Sequence, residues 1–323
     1  MTEEPASVLR FRRRAMGCIW ELTLCPDQPD APALAEAAFE QVCLAERLLS
    51  VFLPSSDISR INREGQSGPV KVSPLTLRAL AHAFQLSELT AGAFDIACGA
   101  LVRLWGFEGG EGRKPAQDEI TRALKCTGRH NVMLDEASGT VRLARPGVRL
   151  NPGGYGKGFG LDLAMEALRA AGVQSALMHA GTSSVAALGV DSTGRPWQVG
   201  IRIPGQNEGR AAVLELQDGS LSVSGISEQS FSGEGRRFGH VLDPRTGWPV
   251  EREGWAVALC ESAAASDALA TAALVLGPEG TERILRGRGE ARVIFYDEKG
   301  RPIREVGGGP EPGGARTESH VSE

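Results

Sequence analysis

The sequence predicts an α+β fold of mixed, mostly antiparallel sheets with flanking helices. Three observations predict it. Strand-like segments cluster after residue 130. Many of them are joined as hairpins, the connection that antiparallel strands allow. Helical patterns cluster earlier, and only two or three interrupt the strands, which is not the regular alternation of a doubly wound parallel sheet.

Taken in order, residues 8–25 read as an opening strand or hairpin. Residues 32–50 are rich in Ala and Leu without Gly or Pro, and predict a helix. FLPSSDISRIN reads as a turn-rich connector, followed by a second helix from Pro74 to Leu89. TAGAFDIACGALVRLWGF, 90–107, starts as a loop and becomes a short helix; 108–116 is a polar loop, and 117–126 is helical. NVMLDEASGTVRLAR, 131–145, alternates around Ser138-Gly139 as a hairpin does. Gly160 to Ala171 carries Leu161, Met165 and Leu168 on one helical face, with Gly172 as its stop. SALMHAG, SVAALGV and WQVGIRIP read as short strands. Residues 211–225 read as a hairpin turning at Asp218-Gly219, and FGHVLDP and GWAVALC as two more strands. Ser262 to Leu276 is a helix ended by Gly277-Pro278; a short helix and the strand ARVIFYD follow. Residues 1–305 show no linker and read as one domain, while 306–323, polar and rich in Gly and Pro, read as a disordered tail.

The 323 residues are 41 % hydrophobic and carry a formal net charge of -5. That length can bury a substantial core. The mild acidity lacks the basic footprint of a nucleic-acid or anionic-membrane binder. No apolar run is long enough for a transmembrane segment. The N-terminal MTEEPASVLRFRRRAMG lacks the apolar stretch of a secretory signal, so a cytoplasmic location is expected. The six cysteines show neither C-x-x-C nor zinc-ligand spacing, and read as free thiols.

Four stretches carry candidate chemistry. In NPGGYGKGFGLD, 151–162, five glycines and Lys157 fall within the eight positions from Gly153 to Gly160. The stretch fails both the Walker A pattern and the dinucleotide fingerprint. Open backbone N–H groups, a helix N-terminus and a lysine still suit an anion. Small residues that let a helix approach a sheet explain the same glycines equally well. In ASDALATAALVLG, Asp267 and Thr271 share a helix face among apolar neighbours. A buried carboxylate must be paired, hydrogen-bonded or metal-bound. A carboxylate with a hydroxyl suits Mg²⁺, a hard cation; a cap at Asp267 and a hydroxyl turned on its own helix backbone at Thr271 are the alternative. In RFGHVLDPRTGWPV, His240 precedes a DPRTG turn and reads as a general base or as a structural histidine holding that turn. In the fourth stretch, Asp95 sits between apolar residues, and Trp105 and Phe107 read as core rather than stacking platform. His179, just before Ala180-Gly181, is a second candidate for taking the proton, with a strand-end structural histidine as the favoured reading.

Six blocks, in this order, resemble the ApbE family of flavin transferases: AMG at 15–17, SVFLPSSDISRIN at 50–62, GAFDIACGALVRLWGF at 92–107, NPGGYGKGFGLD at 151–162, HVLDPRTG at 240–247 and SDALATAALVLG at 266–277. The resemblance spans nearly the whole chain and implies an ApbE-like fold. It implies an enzyme that uses Mg²⁺ and FAD, joins the FMN half to a Thr or Ser hydroxyl of an acceptor flavoprotein through a phosphoester bond, and releases AMP. It implies a metal site at Gly154, Asp267 and Thr271. It implies flavin contacts at Met16, Phe52, Ala93, Phe94, Asp95, Asn151, Lys157 and Val241, with His240 and Asp267 as catalytic residues. Two other readings of the same site are an FAD pyrophosphatase yielding FMN and AMP, and a non-catalytic FAD-binding protein. The chain departs from the family pattern at four points. Phe52 stands where Tyr is frequent, and Asn151 where Asp is common. The Gly-Gly-Asn or Gly-Gly-Asp block is here Ala180-Gly181-Thr182-Ser183-Ser184. The lipobox cysteine of exported members is missing.

Overall fold

The computed structural model describes residues 8–202, 210–226, 230–233, 235–289 and 291–308. The chain opens with strands β1 (Leu9–Ala15) and β2 (Cys18–Leu24). Met16 and Gly17 join them with φ of 48° and 75°. Two residues at positive φ make the tight loop whose twist matches a hairpin. Helix α1 (Ala31–Leu49) buries Ala35, Ala38, Phe39, Val42, Ala45 and Leu49, the spacing of one helical face.

The segment expected to be only a connector instead forms helix α2 (Asp57–Glu64). Ser56 caps it, its hydroxyl accepting from Ser59 N at 3.0 Å. The PSSD signal marks a helix start rather than a turn. Strand β3 (Val70–Lys71) and helix α3 (Pro74–Leu89) follow. A short 3-10 turn, Ile96–Cys98, leads into α4 (Gly99–Leu104), then α5 (Gln117–Leu124). Strands β4 (Val132–Asp135) and β5 (Thr140–Leu143) form the expected hairpin, and β3 extends it to three strands.

Helix α6 (Gly156–Ala170) begins four residues before the expected start, which puts Lys157 in its first turn. Strands β6 (Ala176–Ala180), β7 (Ser184–Leu188), β8 (Trp197–Arg202), β9 (Arg210–Leu216) and β10 (Ser220–Gly225) come next. Residues 203 and 204 of the expected WQVGIRIP strand lie outside the described residues. The 211–225 hairpin is corrected. The turn is present, with Asp218 at φ 48°, but β9 pairs with β8 while β10 pairs with β7 and β13. The two strands belong to different sheets, yet Leu214 and Leu216 of β9 share one core with Leu221 and Val223 of β10.

Strands β11 (Ser230–Gly233) and β12 (Arg236–Gly239) form a small ribbon. The strand expected over FGHVLDP stops at Gly239; beyond it only Leu242 bridges to Pro249. Then come β13 (Trp255–Cys260), α7 (Ala263–Leu285), β14 (Ala291–Tyr296) and β15 (Pro302–Gly307). Gly277, at φ 69°, breaks α7 where the stop was expected, and Pro278 starts the second piece. The last strand runs two residues past the boundary read at 305, and 309–323 lie outside the described residues.

The main sheet has eight antiparallel strands in the order β1-β2-β6-β7-β10-β13-β14-β15. Its two faces alternate along each strand. Ala176, Met178, Ala186, Ala256, Ala258 and Val293 face α1, α6 and α7. Leu177, Val185, Ala187, Val257 and Ile294 face the β8–β9 hairpin, against Trp197, Val199, Leu214 and Leu216. A further core joins α2, α3, the three-stranded sheet and the outer sides of α6 and α7. Among the described residues no helix is long and apolar enough to cross a membrane.

Candidate active site

The glycine stretch does two jobs, divided by position. Gly158 is a packing glycine: a Cβ there would lie 2.2 Å from the Ala263 carbonyl oxygen, so only glycine lets α6 cross α7 this closely. Gly160 likewise admits the Trp20 ring, 3.0 Å from where its Cβ would be. Gly154 instead faces a polar group, its Cβ position lying 2.9 Å from Thr271 Oγ1.

Asp267, 5 % exposed, accepts a 3.3 Å hydrogen bond from Gly158 N. That amide is one of the first-turn donors of α6 that lack an intrahelical partner. A carboxylate there also complements the positive end of the helix dipole. Thr271 Oγ1 donates to Asp267 O at 3.2 Å and has Ser224 Oγ at 3.4 Å. The local hydrogen bonds weighed as the alternative are therefore present, with Asp267 capping α6 rather than its own helix. The same carboxylate and hydroxyl oxygens are of the ligand type that suits a hard cation. Among the described residues no three His, Cys, Asp or Glu side chains cluster as metal ligands. A cation held here relies on one carboxylate, hydroxyl and carbonyl oxygens, and the oxygens of its ligand.

Lys157 lies in the first turn of α6, and its ammonium donates to the Ser183 hydroxyl. Ser183 belongs to the altered 180–184 block, so a hydroxyl there is what meets the lysine. The Met16 methyl lies 3.5 Å from the Cβ position of Gly156, and Met16 N donates to Glu46 Oε1 at 2.9 Å. The β1–β2 turn is thereby pinned against the start of α6. Beside it, burial pushes the Cys18 thiol up; the Lys157 charge works against that and Glu46 reinforces it.

On the other side, Asn151 leads into the loop. Its Oδ1 accepts from Gly153 N at 2.9 Å, and its Nδ2 donates to Glu108 at 3.3 Å. Asn62 clamps the preceding residue, exchanging bonds of 2.9 and 2.7 Å with Leu150 O and N. The SDISRIN block thus fixes the chain entering the glycine loop. Phe52 is 71 % exposed, and its ring edge lies 3.8 Å from the Cβ position of Gly109. An exposed aromatic on a site rim is suited to stacking. His240 sits edge-on to Phe107, with ring centroids 6.5 Å apart. The turn that follows it is held by Arg245 on Asp243 and by Trp105 Nε1 on Gly247 O.

Three expected flavin contacts lie beneath the site with their side chains in the core: Ala93, Phe94 and Val241 are buried. Phe94 packs near Tyr155, below the glycine loop. Asp95, expected as a flavin contact, also holds the fold together. Its carboxylate accepts from Ser87 Oγ, Ala97 N and Arg129 N at 2.8–3.0 Å, capping the Ile96–Cys98 turn. Both oxygens are engaged within the fold. His179 is a strand residue paired with Glu21, and burial lowers its pKa. All six cysteines are free thiols. Burial pushes Cys98 and Cys260 up to about 12, which favours the protonated thiol over the thiolate.

Sequence reasoning missed Glu108, Ser224 and Glu46, and named Ser183 only as part of the altered 180–184 block. The glycines flanking Glu108 were its one visible signal; the others sit in ordinary strand or helix patterns.

The ApbE family model matches residues 16–295. A Treponema pallidum protein named FAD:protein FMN transferase is 32 % identical, over 83 % of this chain and 78 % of its own length. A Haemophilus influenzae protein of the same name is 30 % identical over 72 % and 69 %. The crystal structure of the ApbE protein from Thermotoga maritima superposes with a TM-score of 0.83 at 29 % identity, covering 92 % of this chain and 97 % of that one. With its eight-stranded antiparallel sheet, its glycine loop set against Asp267 and Thr271, and a family match over most of its length, the chain belongs to the ApbE family.

Proposed function

We propose that this chain is an FAD:protein FMN transferase. In a Mg²⁺-dependent reaction it moves the FMN moiety of FAD to a Thr or Ser hydroxyl of an acceptor flavoprotein and releases AMP. The observation that carries the reading is the first turn of α6, where Lys157 adjoins Gly158, whose amide binds Asp267, and where the preceding Gly154 abuts Thr271. The names of the relatives supply the substrate and the transfer.

In this reading the pyrophosphate of FAD lies beside the first turn of α6, where the Lys157 ammonium receives it. Asp267 and Thr271 hold the cation, with Gly154 as the backbone ligand. When bound, Mg²⁺ neutralises charge on the phosphates and the developing leaving group. The exposed Phe52 ring stacks on the flavin. The acceptor hydroxyl oxygen attacks the FMN phosphorus, a phosphorus–oxygen bond forms, and the bond to the AMP phosphate breaks. His240 takes the hydroxyl proton. Phosphoryl transfer of this kind depends mainly on positioning and charge neutralisation.

The test is incubation with FAD, with Mg²⁺ or with EDTA, with and without a flavoprotein fragment carrying a Thr acceptor. AMP release that needs Mg²⁺, with FMN bound to the fragment, is the expected result. AMP with only free FMN would replace this reading by a pyrophosphatase. Bound FAD without AMP in every tube would replace it by a flavin carrier.

A further inference from the structure

Glu108 lies immediately after the GAFDIACGALVRLWGF block and faces the glycine loop. Its Oε1 accepts from Arg149 Nη2 at 2.9 Å, and its Oε2 accepts from Asn151 Nδ2 at 3.3 Å. The Glu108 side chain is only 11 % exposed. A charge-assisted hydrogen bond so placed is stronger than one in open water. It also settles which way the Asn151 amide points. With Nδ2 on the carboxylate, Oδ1 is left to receive Gly153 N. Asn151 N is tied to Ile96 O at 2.7 Å, so the residue has little freedom to turn away. The next residue after Gly153, Gly154, is the one that meets Thr271. One chain of contacts thus runs from Glu108 through Asn151 and Gly153 to Asp267 and Thr271.

We propose that Glu108 is a positioning residue for the glycine loop, and that its carboxylate is the reason position 151 carries an amide. A carboxylate at position 151 would still receive Gly153 N. It would also stand against the Glu108 carboxylate with no proton donor between them. Like charges at that separation oppose each other's ionised form, and Arg149 offsets one charge, not two. An amide at position 108 would reverse the bond, donating to the carboxylate at position 151. The negative charge at the mouth of the loop can therefore sit at 108 or at 151, but not at both. The effect on flavin binding rests on the transferase reading; the effect on the loop does not.

The experiment compares the wild-type protein with Glu108→Gln, Asn151→Asp and the double variant. Hydrogen exchange of the 150–156 segment is followed without ligand, and FAD affinity is measured by flavin fluorescence with Mg²⁺. Asn151→Asp is expected to speed exchange in that segment about tenfold. It is expected to weaken FAD binding about tenfold, and the double variant to return both to within about threefold of wild type. A merely structural defect would raise exchange across the chain and would not be rescued by a second substitution. Absence of rescue, or unchanged exchange in Asn151→Asp, overturns the proposal. If Asn151→Asp does not fold, Glu108→Gln alone decides: about threefold faster exchange confined to 150–156 supports the proposal, and no change overturns it. Exchange that follows the predicted pattern in protein that binds no FAD supports the positioning role while removing the flavin reading.

Discussion

Gly158 and Asp267 meet where α6 crosses α7, the glycine amide donating to the buried carboxylate at 3.3 Å. The same crossing leaves no room for a side chain at 158. One contact therefore both closes the helix packing and sets the carboxylate at the start of α6, beside Lys157. This separates two glycines that look alike in the sequence. Gly158→Ala drives a methyl group into the Ala263 backbone, which cannot yield as a side-chain tip can. A loss of about 3 kcal/mol or more in stability is expected. Gly154→Ala meets the Thr271 hydroxyl instead and is expected to melt near wild type while losing most Mg²⁺-dependent AMP release. Thermal melts and AMP assays on both variants decide this; equal stability of the two would refute the division.

Asp267→Asn keeps an oxygen for Gly158 N but removes the charge. The variant is expected to fold with a stability change under about 1 kcal/mol, and to release AMP at a small fraction of the wild-type rate. Asp267→Ala leaves the Gly158 amide unpaired in the interior and should cost a further 1–3 kcal/mol, roughly. Activity retained in Asp267→Asn would take the carboxylate out of the chemistry and leave it as the cap of α6.

The Lys157 ammonium rests on Ser183, a residue 26 positions away. Hydrogen bonds made by a charged donor contribute about 1.5–3 kcal/mol. Lys157→Gln is therefore expected to weaken FAD binding roughly tenfold or more, and to flatten its dependence on salt. Ser183→Ala should weaken it much less, since the charge remains. Titration of FAD at low and high ionic strength checks both, and equal affinities for wild type and Lys157→Gln would rule out a phosphate contact.

What was legible in the sequence follows from how far apart the partners lie. The hairpin at Ser138-Gly139 and the stop at Gly277-Pro278 depend on neighbours, and both stand in the structure. The 211–225 hairpin failed because the turn at Asp218 is local, whereas the choice of sheet for each flanking strand is made by distant partners. The glycine loop was visible as a feature, yet its packing glycine and its site glycine differ only in what α7 brings against them. Asp95 was read as a flavin contact only through the family block it belongs to; its hydrogen bonds to backbone N–H groups and Ser87 are ones that no spacing announces. Glu108 lay in a stretch read as a polar loop, 43 residues from the Asn151 it holds.

Acid stability offers a separate check on the wall of α3 and α6. His82 Nδ1 lies 3.1 Å from Tyr155 OH, and burial lowers the His82 pKa below the ordinary 6.5, with Asp162 opposing and Arg78 assisting. The unfolded chain therefore takes up the proton first as pH falls. The stability held by the neutral ring is complete above 6.5 and is lost as pH drops through the lowered folded value, at up to about 1.4 kcal/mol per pH unit. His179 is shifted in the same direction by burial and adds to the slope. Asp162 is raised by burial, so its contribution runs the other way, present at acid pH and lost as pH rises through its folded value. The melting temperature is expected to fall between pH 7 and pH 5, roughly the range over which a histidine takes up its proton. It should fall less in His82→Gln, and least when His179→Gln is added. Since Asp162 is common to all three proteins, the differences between their melting curves isolate the histidines. Parallel curves for all three would show that neither ring resists protonation in the fold.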